Sequence, residues 1–434
     1  MQSTNETFSW EHTASRVQNA IRQPTGIFST LLLIGPDLTS RAVAQQCGIK
    51  WRAIPLPLAF SFGWVGYSIS LLVSALGEEK LMPALADSSC IVMNGKSGYC
   101  RSNKHWVIGR LVRDYNSWME TEIREKTQKT IREISEAPGG LSADIEDIEG
   151  GPAPLRPVPR SLCVAVYDPS DAIKQSVPTQ DWIAWSGFVA IVVQVGLSVA
   201  PLVQYEDPTV ILITVLGTVL AYISISLRQW RREKWACRVK TEQSFVLTKG
   251  NGSQHAIVIT GNQQGLNLED LAMPSEPVDG CTKACVCILA LGSVFLLVMA
   301  ASLAESFSNW YLLAIGGIGM AQNTLVAFKR RKPSTIGIHL RYKECFIEKK
   351  VMNTLKAVER KYSGIGRNMT SIFFPSGLNP EEERDWDDIR NNQASNAEAE
   401  SRGESDGRMI SQDEGGPMAD THSDAVVDAS AADQ

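Results

Sequence analysis

The sequence predicts an α-helical membrane protein: two transmembrane hairpins giving four firm spans, a fifth candidate span, a small cytoplasmic α+β domain and a disordered acidic C-terminal tail. Three observations predict it. Four uncharged stretches are each long enough to cross a bilayer, which takes about 20 residues. Clusters of Lys and Arg follow the second and the fourth of them. Everything from Glu381 onward is acidic and poor in apolar residues.

Averaged over its 434 residues the chain looks soluble, with 44% hydrophobic and 21% charged residues and a mean hydropathy of -0.08. The average misleads because apolar and polar residues are segregated into blocks. The uncharged blocks are Trp182–Tyr205, Pro208–Leu227, Ala284–Ala304 and Ser306–Phe328. The soluble alternative, four wholly buried core helices, is disfavoured by these lengths in two close pairs. A fifth uncharged stretch, Ala53–Gly77, is weaker, with Pro55, Pro57, three glycines and four serines. It spans, re-enters or lies against the surface. The run Gln23–Pro36 is too short to cross and reads as amphipathic or buried in protein. The start, Met1-Gln2-Ser3-Thr4, lacks the basic residues and apolar run of a cleaved signal peptide, so insertion falls to an internal span.

Basic residues are retained on the cytoplasmic side and set the orientation. Arg228, Arg231, Arg232, Lys234, Arg238 and Lys240 follow the second span, and Lys329-Arg330-Arg331-Lys332 follow the fourth. The links inside the hairpins carry Glu206-Asp207 and Glu305 and no Lys or Arg. Both hairpin tips therefore point outward. Lys50 and Arg52 precede the fifth stretch while Glu78 and Glu79 follow it, which opposes a simple crossing in that frame. A re-entrant or interfacial segment removes the conflict and leaves four spans with both termini in the cytoplasm. Five spans with the N-terminus outside is the alternative. The Asn5-Glu6-Thr7 sequon separates the two, and the favoured reading leaves Asn5 bare.

The chain thus divides into an N-terminal segment (1–52), the uncertain segment (53–77), a cytoplasmic α+β part (78–181), a transmembrane hairpin (182–227), a basic segment with a β-hairpin (228–283), a second transmembrane hairpin (284–328), a cytoplasmic helical segment (329–380) and the tail (381–434). Ser244–Thr248 and His255–Thr260 flank Lys249-Gly250-Asn251-Gly252 and read as a β-hairpin, because Asn-Gly supplies the positive φ of a tight turn. Cys90–Met93 and Leu162–Tyr167 have strand length. Between Lys104 and Glu136, Ile108, Leu111, Val112, Tyr115, Trp118 and Met119 recur at helical spacing. Paired glycines with Pro152, Pro154, Pro157 and Pro159 then break order over Ala137–Arg160, and Glu344–Tyr362 reads as a further helix. The tail carries about 16 acidic against about 4 basic residues and cannot bury enough apolar surface to offset its ordering entropy.

Chemistry is sparse. Met93-Asn94-Gly95-Lys96-Ser97 lacks the first glycine of a phosphate loop, where Cys90 stands, and reads as a turn. There is no HExxH and no paired CxxC, so no metal or cofactor is expected. Cys237, Cys281, Cys285 and Cys287 lie next to spans, where reversible S-acylation competes with plain packing. Arg228, Trp230, Arg231, Arg232, Lys234 and Trp235 interleave basic and indole side chains directly after a span. They are expected to contact anionic lipid headgroups, at about 1 kcal/mol for each Lys or Arg, rather than nucleic acid. His255 and His105 are weak catalytic candidates. The spans contain no Asp, Glu, Lys, Arg or His. Gln194, Gln322 and Asn323 are expected to make interhelical hydrogen bonds, and the pairs Gly217/Ala221 and Gly317/Ala321 to permit close packing.

Five stretches resemble a family of uncharacterised multi-pass membrane proteins of filamentous fungi: Thr25–Thr30, Ala59–Trp64, Lys96–Tyr99, Glu233–Arg238 and Gly316–Met320. The resemblance implies a shared fold and no activity. Three functions stay open: a membrane-anchored scaffold, sensor or accessory factor with a protein partner at its cytoplasmic domain; a membrane enzyme acting on a lipophilic metabolite; and a small-molecule transporter. A pocket pairing His255 with carboxylates would favour the enzyme, and a pore between the hairpins would favour transport. Plasma membrane and endomembrane are not distinguished.

Overall fold

The computed structural model describes residues 25–83, 89–136, 161–170, 173–273, 276–303, 308–393 and 395, with side chains from 35 onward. The expected loop over Ala137–Arg160, the Glu305 link, Asn5 and the tail beyond 395 lie outside these.

Helix α1 (Thr25–Gln46) is followed by a two-strand corner, β1 (Lys50–Trp51) and β2 (Ile54–Pro55), then by α2 (Gly63–Val73), which runs on as a π-turn over Ser74–Glu78. Next come β3 (Ile91–Asn94), β4 (Cys100–Ser102), α3 (Trp106–Arg113), α4 (Tyr115–Trp118), α5 (Thr121–Ser135) and β5 (Cys163–Pro169). The first long hairpin is α6 (Trp182–Tyr205) and α7 (Thr209–Ser226), with α8 (Arg228–Lys234) after it. Then follow β6 (Val239–Thr241), β7 (Phe245–Thr248), β8 (His255–Ile259), β9 (Gly265–Leu266) and α9 (Leu268–Ala272). The second hairpin is α10 (Gly280–Ser302) and α11 (Ser308–Phe328), and α12 (Pro333–Ile336), β10 (Leu340–Ile347), α13 (Val351–Lys361) and α14 (Ile365–Phe373) complete the described elements with a helix over 380–393.

Among the described residues four helices are long and apolar enough to cross a membrane, and they are the four predicted stretches, the second extended through α8. Their outward faces are apolar and exposed: Val189, Val192, Leu212, Leu291, Phe295 and Val298 each show between 53% and 72% of their surface. Water would not tolerate such a belt, whereas lipid solvates it. This is a multi-pass membrane protein.

The six helices of the bundle close into a ring in the order α1, α2, α10, α7, α6, α11 and back to α1. Its interior is filled by the extended stretch 56–62. Leu58, Ala59, Phe60, Ser61 and Phe62 are all buried. Glycines make the room: a Cβ on Gly187 would meet the Pro57 carbonyl, one on Gly217 the Phe60 ring, one on Gly316 the Phe62 ring, and one on Gly319 the Phe60 carbonyl. The expected Gly317/Ala321 stripe is corrected by this. Gly317 faces open space and Ala321 is exposed, because the close approach is to a non-helical strand and uses Gly316 and Gly319.

Beside the bundle stands a mixed six-stranded sheet in the order β10-β5-β8-β7-β3-β4, with β5 and β8 parallel and the other pairs antiparallel. Period-two alternation splits the strands between two cores. Cys163, Ala165, Tyr167, Leu247 and Ile257 join the core that runs into the bundle, while Leu162, Val164, Val166, Val246 and Val258 pack against α13 and α14. The β7–β8 hairpin turns at Lys249–Gly252, with Gly250 and Gly252 at φ 97° and 80°. The Lys96-Ser97 segment is a turn, its two amides donating to Asn94 Oδ1.

Four further expectations need correction. The apolar run ending at Pro36 belongs to the 22-residue α1, since the polar half after Pro36 stays helical. The helix expected over Lys104–Glu136 breaks into α3, α4 and α5, because Asp114 leaves helical geometry at ψ 2° and Met119 at ψ 148°. The helix expected over Glu344–Tyr362 begins only at Val351, since the preceding residues pair with β5 as β10. The tail boundary at Glu381 is too early: the 380–393 helix docks Trp386, 4% exposed, into the core under α13 and α14. Acidic composition hid a single indole anchor.

Candidate functional site at the bundle–sheet joint

Most of the buried charge among the described residues gathers where the bundle meets the sheet domain. Helices end with carbonyls that lack partners, and buried ends need donors. Arg110 of α3 donates from Nη1 to Ala327 O at 3.3 Å and from Nη2 to Lys329 O at 2.8 Å, capping α11. Asp114, one turn on, pairs with it at 3.1 Å. Lys234 Nζ donates to Ala44 O at 3.3 Å and Cys47 O at 3.0 Å, capping α1, and lies 5.1 Å above the Trp106 ring. Glu233 accepts from the Leu81 and Met82 amides at 2.9 and 2.8 Å, tying down the chain after α2. Gln46 Nε2 donates to Ala184 O at 2.9 Å, and Arg331 pairs with Asp181, the N-cap of α6, at 3.4 Å. The joint ends of α1, α6 and α11 and the chain after α2 are thus each held by a side chain from another segment.

His105 belongs to this joint. It is the N-cap of α3: Nδ1 accepts from the Val107 amide at 3.3 Å, which leaves Nε2 to donate to Glu233 O at 3.0 Å. Burial holds it well below the ordinary histidine range, at about 4. It is neutral near pH 7 and positions helices.

His255 lies elsewhere, at the start of β8. It lines an open cleft of about 570 Å³ with Arg113, Tyr115, Asn116, Lys249 and the 251–254 turn. Its ring packs edge-on to Tyr115 at 5.2 Å, and burial, then the nearby Lys249, lower it to about 4. The cleft lining includes no carboxylate. The two histidines are therefore not brought together.

The basic stretch after the second span is divided by the structure. Arg228, Arg231 and Arg232 are exposed and Trp235 is half-buried, but Trp230 and Lys234 are each 1% exposed. Trp230 Nε1 donates to Ser224 O at 2.8 Å. Lipid contact by those two side chains is corrected accordingly: α8 turns one face into the joint, with Glu233 and Lys234, and the other outward. Helical spacing alone, with Gln229, Trp230, Glu233 and Lys234 on one side, carried that division. Of the juxtamembrane cysteines, Cys281 is exposed in the first turn of α10, and Cys237, Cys285 and Cys287 are partly covered.

Deep in the bundle the three amides do act as glue, but mainly toward the threaded stretch. Gln194 Nε2 donates to both Phe60 O (2.7 Å) and Ile315 O (2.8 Å), Gln322 Oε1 accepts from the Ala59 amide at 3.3 Å, and Asn323 Nδ2 donates to Ser61 Oγ at 3.1 Å. Nothing in the sequence pointed to a strand as their partner.

Fold and joint define the class, an integral membrane protein whose helical bundle is built into a mixed-sheet domain. No protein-family model matches the chain, and no curated protein or solved structure is similar to it.

Proposed function

We propose that this protein is a membrane-anchored sensor or scaffold whose sheet domain lies in the cytoplasm and moves with the bundle as one body. The observation that carries this is the joint itself: Arg110 of α3 and Lys234, at the end of α8 where the chain passes from the bundle into the sheet domain, are both buried and reach the carbonyl ends of α11 and α1. Burying two cations costs several kcal/mol unless geometry and partners compensate, so the arrangement couples the two halves rather than merely tethering them. The Lys and Arg residues after α7 and α11 support a cytoplasmic side for this face, and the exposure of Arg228, Arg231 and Arg232 supports contact with anionic headgroups. The bundle interior is occupied by Phe60 and Phe62, which argues against transport, and the carboxylate-free lining of the His255 cleft argues against an enzyme there.

The test strains the bundle and reads the sheet. The full-length chain is placed in nanodiscs of short-, matched- and long-chain lipid, since hydrophobic mismatch tilts or compresses helices. Hydrogen exchange should change in α3, β5 and β10 together with α1 and α11. Exchange changes confined to the bundle would show two independent halves and end the proposal.

A further inference from the structure

We infer that α1 is a fifth crossing of the membrane and that 54–78 is a re-entrant segment, so that Thr25, the first residue of α1, lies on the face opposite the sheet domain. The argument rests on depth, read from contacts with the long helices.

Consider first the segment after α1. Its entrance is at the joint, where Gln180 Nε2 donates to Lys50 O at 2.6 Å, one residue before the N-cap of α6. Its exit is also there: Glu79 pairs with Lys283 in the first turn of α10 at 2.9 Å, and Glu233 holds Leu81 and Met82. Between these ends the Phe60 carbonyl binds Gln194, the thirteenth residue of the 24 in α6, and the same amide binds Ile315, the eighth of the 21 in α11. The Phe60 ring meets Gly217, the ninth of 18 in α7. Three helices thus place Phe60 near mid-depth. The chain goes in extended, turns at Ser61–Gly63 and returns as α2. Non-helical backbone at that depth is tolerated only inside protein and with its polar groups paired. Both conditions hold: the stretch is buried, Ala59 N and Phe60 O are bonded as above, and Ala59 O accepts from Trp64 Nε1 at 3.1 Å.

An even number of passes by that segment means α1 alone decides where Thr25 lies. α1 runs alongside α11 in the same direction. Gly35 lies at Met320, whose Cε would be 3.1 Å from a Cβ there, and ten residues later Gln45 Nε2 reaches Lys329 O. Nine residues of α11 therefore match ten of α1. Continued upward, the same pairing brings Thr25 level with the first turn of α11, at the far end of the bundle. α1 is less apolar than the four membrane-length helices and stands outside that set, but its length suffices: at about 1.5 Å per residue its 22 residues cover about 33 Å, against a hydrocarbon core of about 30 Å. Charge agrees. Lys50 and Arg52 fall at the joint end, where basic residues are retained, while Arg41 and Asp37 lie about one and two turns inside it and neutralise each other in an exposed ion pair of 2.9 Å. The conflict in the sequence, with Lys50 and Arg52 before the weak stretch and Glu78 and Glu79 after it, disappears because all four sit on one side.

The test uses the full chain in sealed vesicles with two epitope tags, one at Met1 and one inserted after Gly250 in the β7–β8 turn. Protease added outside should remove one tag and spare the other until detergent opens the vesicles, whichever way the vesicles face. Loss of both tags together, or protection of both, would overturn the crossing by α1. A second arm labels Arg52→Cys and Gly77→Cys, both at exposed positions, with an impermeant maleimide mapped by mass spectrometry. Both should label from the side of the Gly250 tag. Labelling from opposite sides would make 54–78 a plain crossing and overturn the re-entrant assignment. In a glycosylating host, a shift lost in Asn5→Gln agrees with the first arm.

Discussion

Gly319 and Gly317 sit two residues apart on α11, and replacing each by Ala should give opposite results. In both variants the helix gains up to about 1 kcal/mol because Ala loses less backbone entropy than Gly. At Gly317 nothing lies within 4 Å of the new methyl group, so that gain stands or is lost in lipid contact. At Gly319 the methyl carbon would lie 2.7 Å from the Phe60 carbonyl carbon and overlap its oxygen. An ordinary carbon–carbon contact needs about 3.5–4.0 Å, so Phe60 must retreat by about 1 Å or more. That retreat stretches the 2.7 Å Gln194–Phe60 hydrogen bond beyond bonding range. Overpacking costs about 1–3 kcal/mol and a lost buried hydrogen bond about 1 kcal/mol. Because the propensity gain is common to both, Gly319→Ala should be about 2–4 kcal/mol less stable than Gly317→Ala. Equilibrium unfolding of the purified chain in mixed micelles, with native Trp fluorescence as readout, measures the difference. Equal stability of the two variants would mean that the 56–62 stretch does not thread the ring.

Acid should destabilise the chain through its histidines. His105 and His255 are held at about 4 when folded against about 6.5 unfolded, so the unfolded state takes up the protons first. Stability should be level above about pH 6.5 and fall as pH drops toward about 4, and His105→Asn, which keeps an N-cap acceptor, should flatten the fall; an unchanged slope would remove His105 from the account. Among sheet-domain thiols, Cys345 should alkylate first at pH 7, because the Cys163 thiol, then the Tyr342 hydroxyl and Lys126, pull it down to about 6 against the effect of burial, while burial pushes Cys90 and Cys237 up to about 12. Peptide mapping after brief iodoacetamide treatment decides this, and Cys90 or Cys237 reacting as fast would refute it. Replacing Arg228, Arg231 and Arg232 together with Gln should lower the anionic lipid that co-purifies with the chain from mixed bilayers, more at low salt than at high. Unchanged lipid content would show that these exposed side chains do not recruit headgroups.

Sequence alone determined what depends on local composition and period. Four long uncharged runs became the four membrane-length helices, the Asn-Gly turn became the β7–β8 hairpin, and two short apolar runs became β3 and β5. These follow from the cost of leaving apolar surface in water and from turn geometry, which neighbouring residues settle among themselves. The rest was decided by partners far along the chain. Pro36 reads as a stop, yet α1 continues because its second half is held by α2, α11 and Lys234. Ala53–Gly77 has the composition of a weak span, but its Pro- and Ser-containing half lies extended because Gln194, Gln322 and Asn323, more than 100 residues away, bind it. Basic residues after a span look equally suited to lipid; Lys234 turns inward only because the carbonyl ends of α1 wait there. Trp386 looks stray within an acidic run until α13 and α14 provide a pocket for it. A buried polar group takes whichever partner the assembled fold offers, and that offer is invisible until distant segments meet.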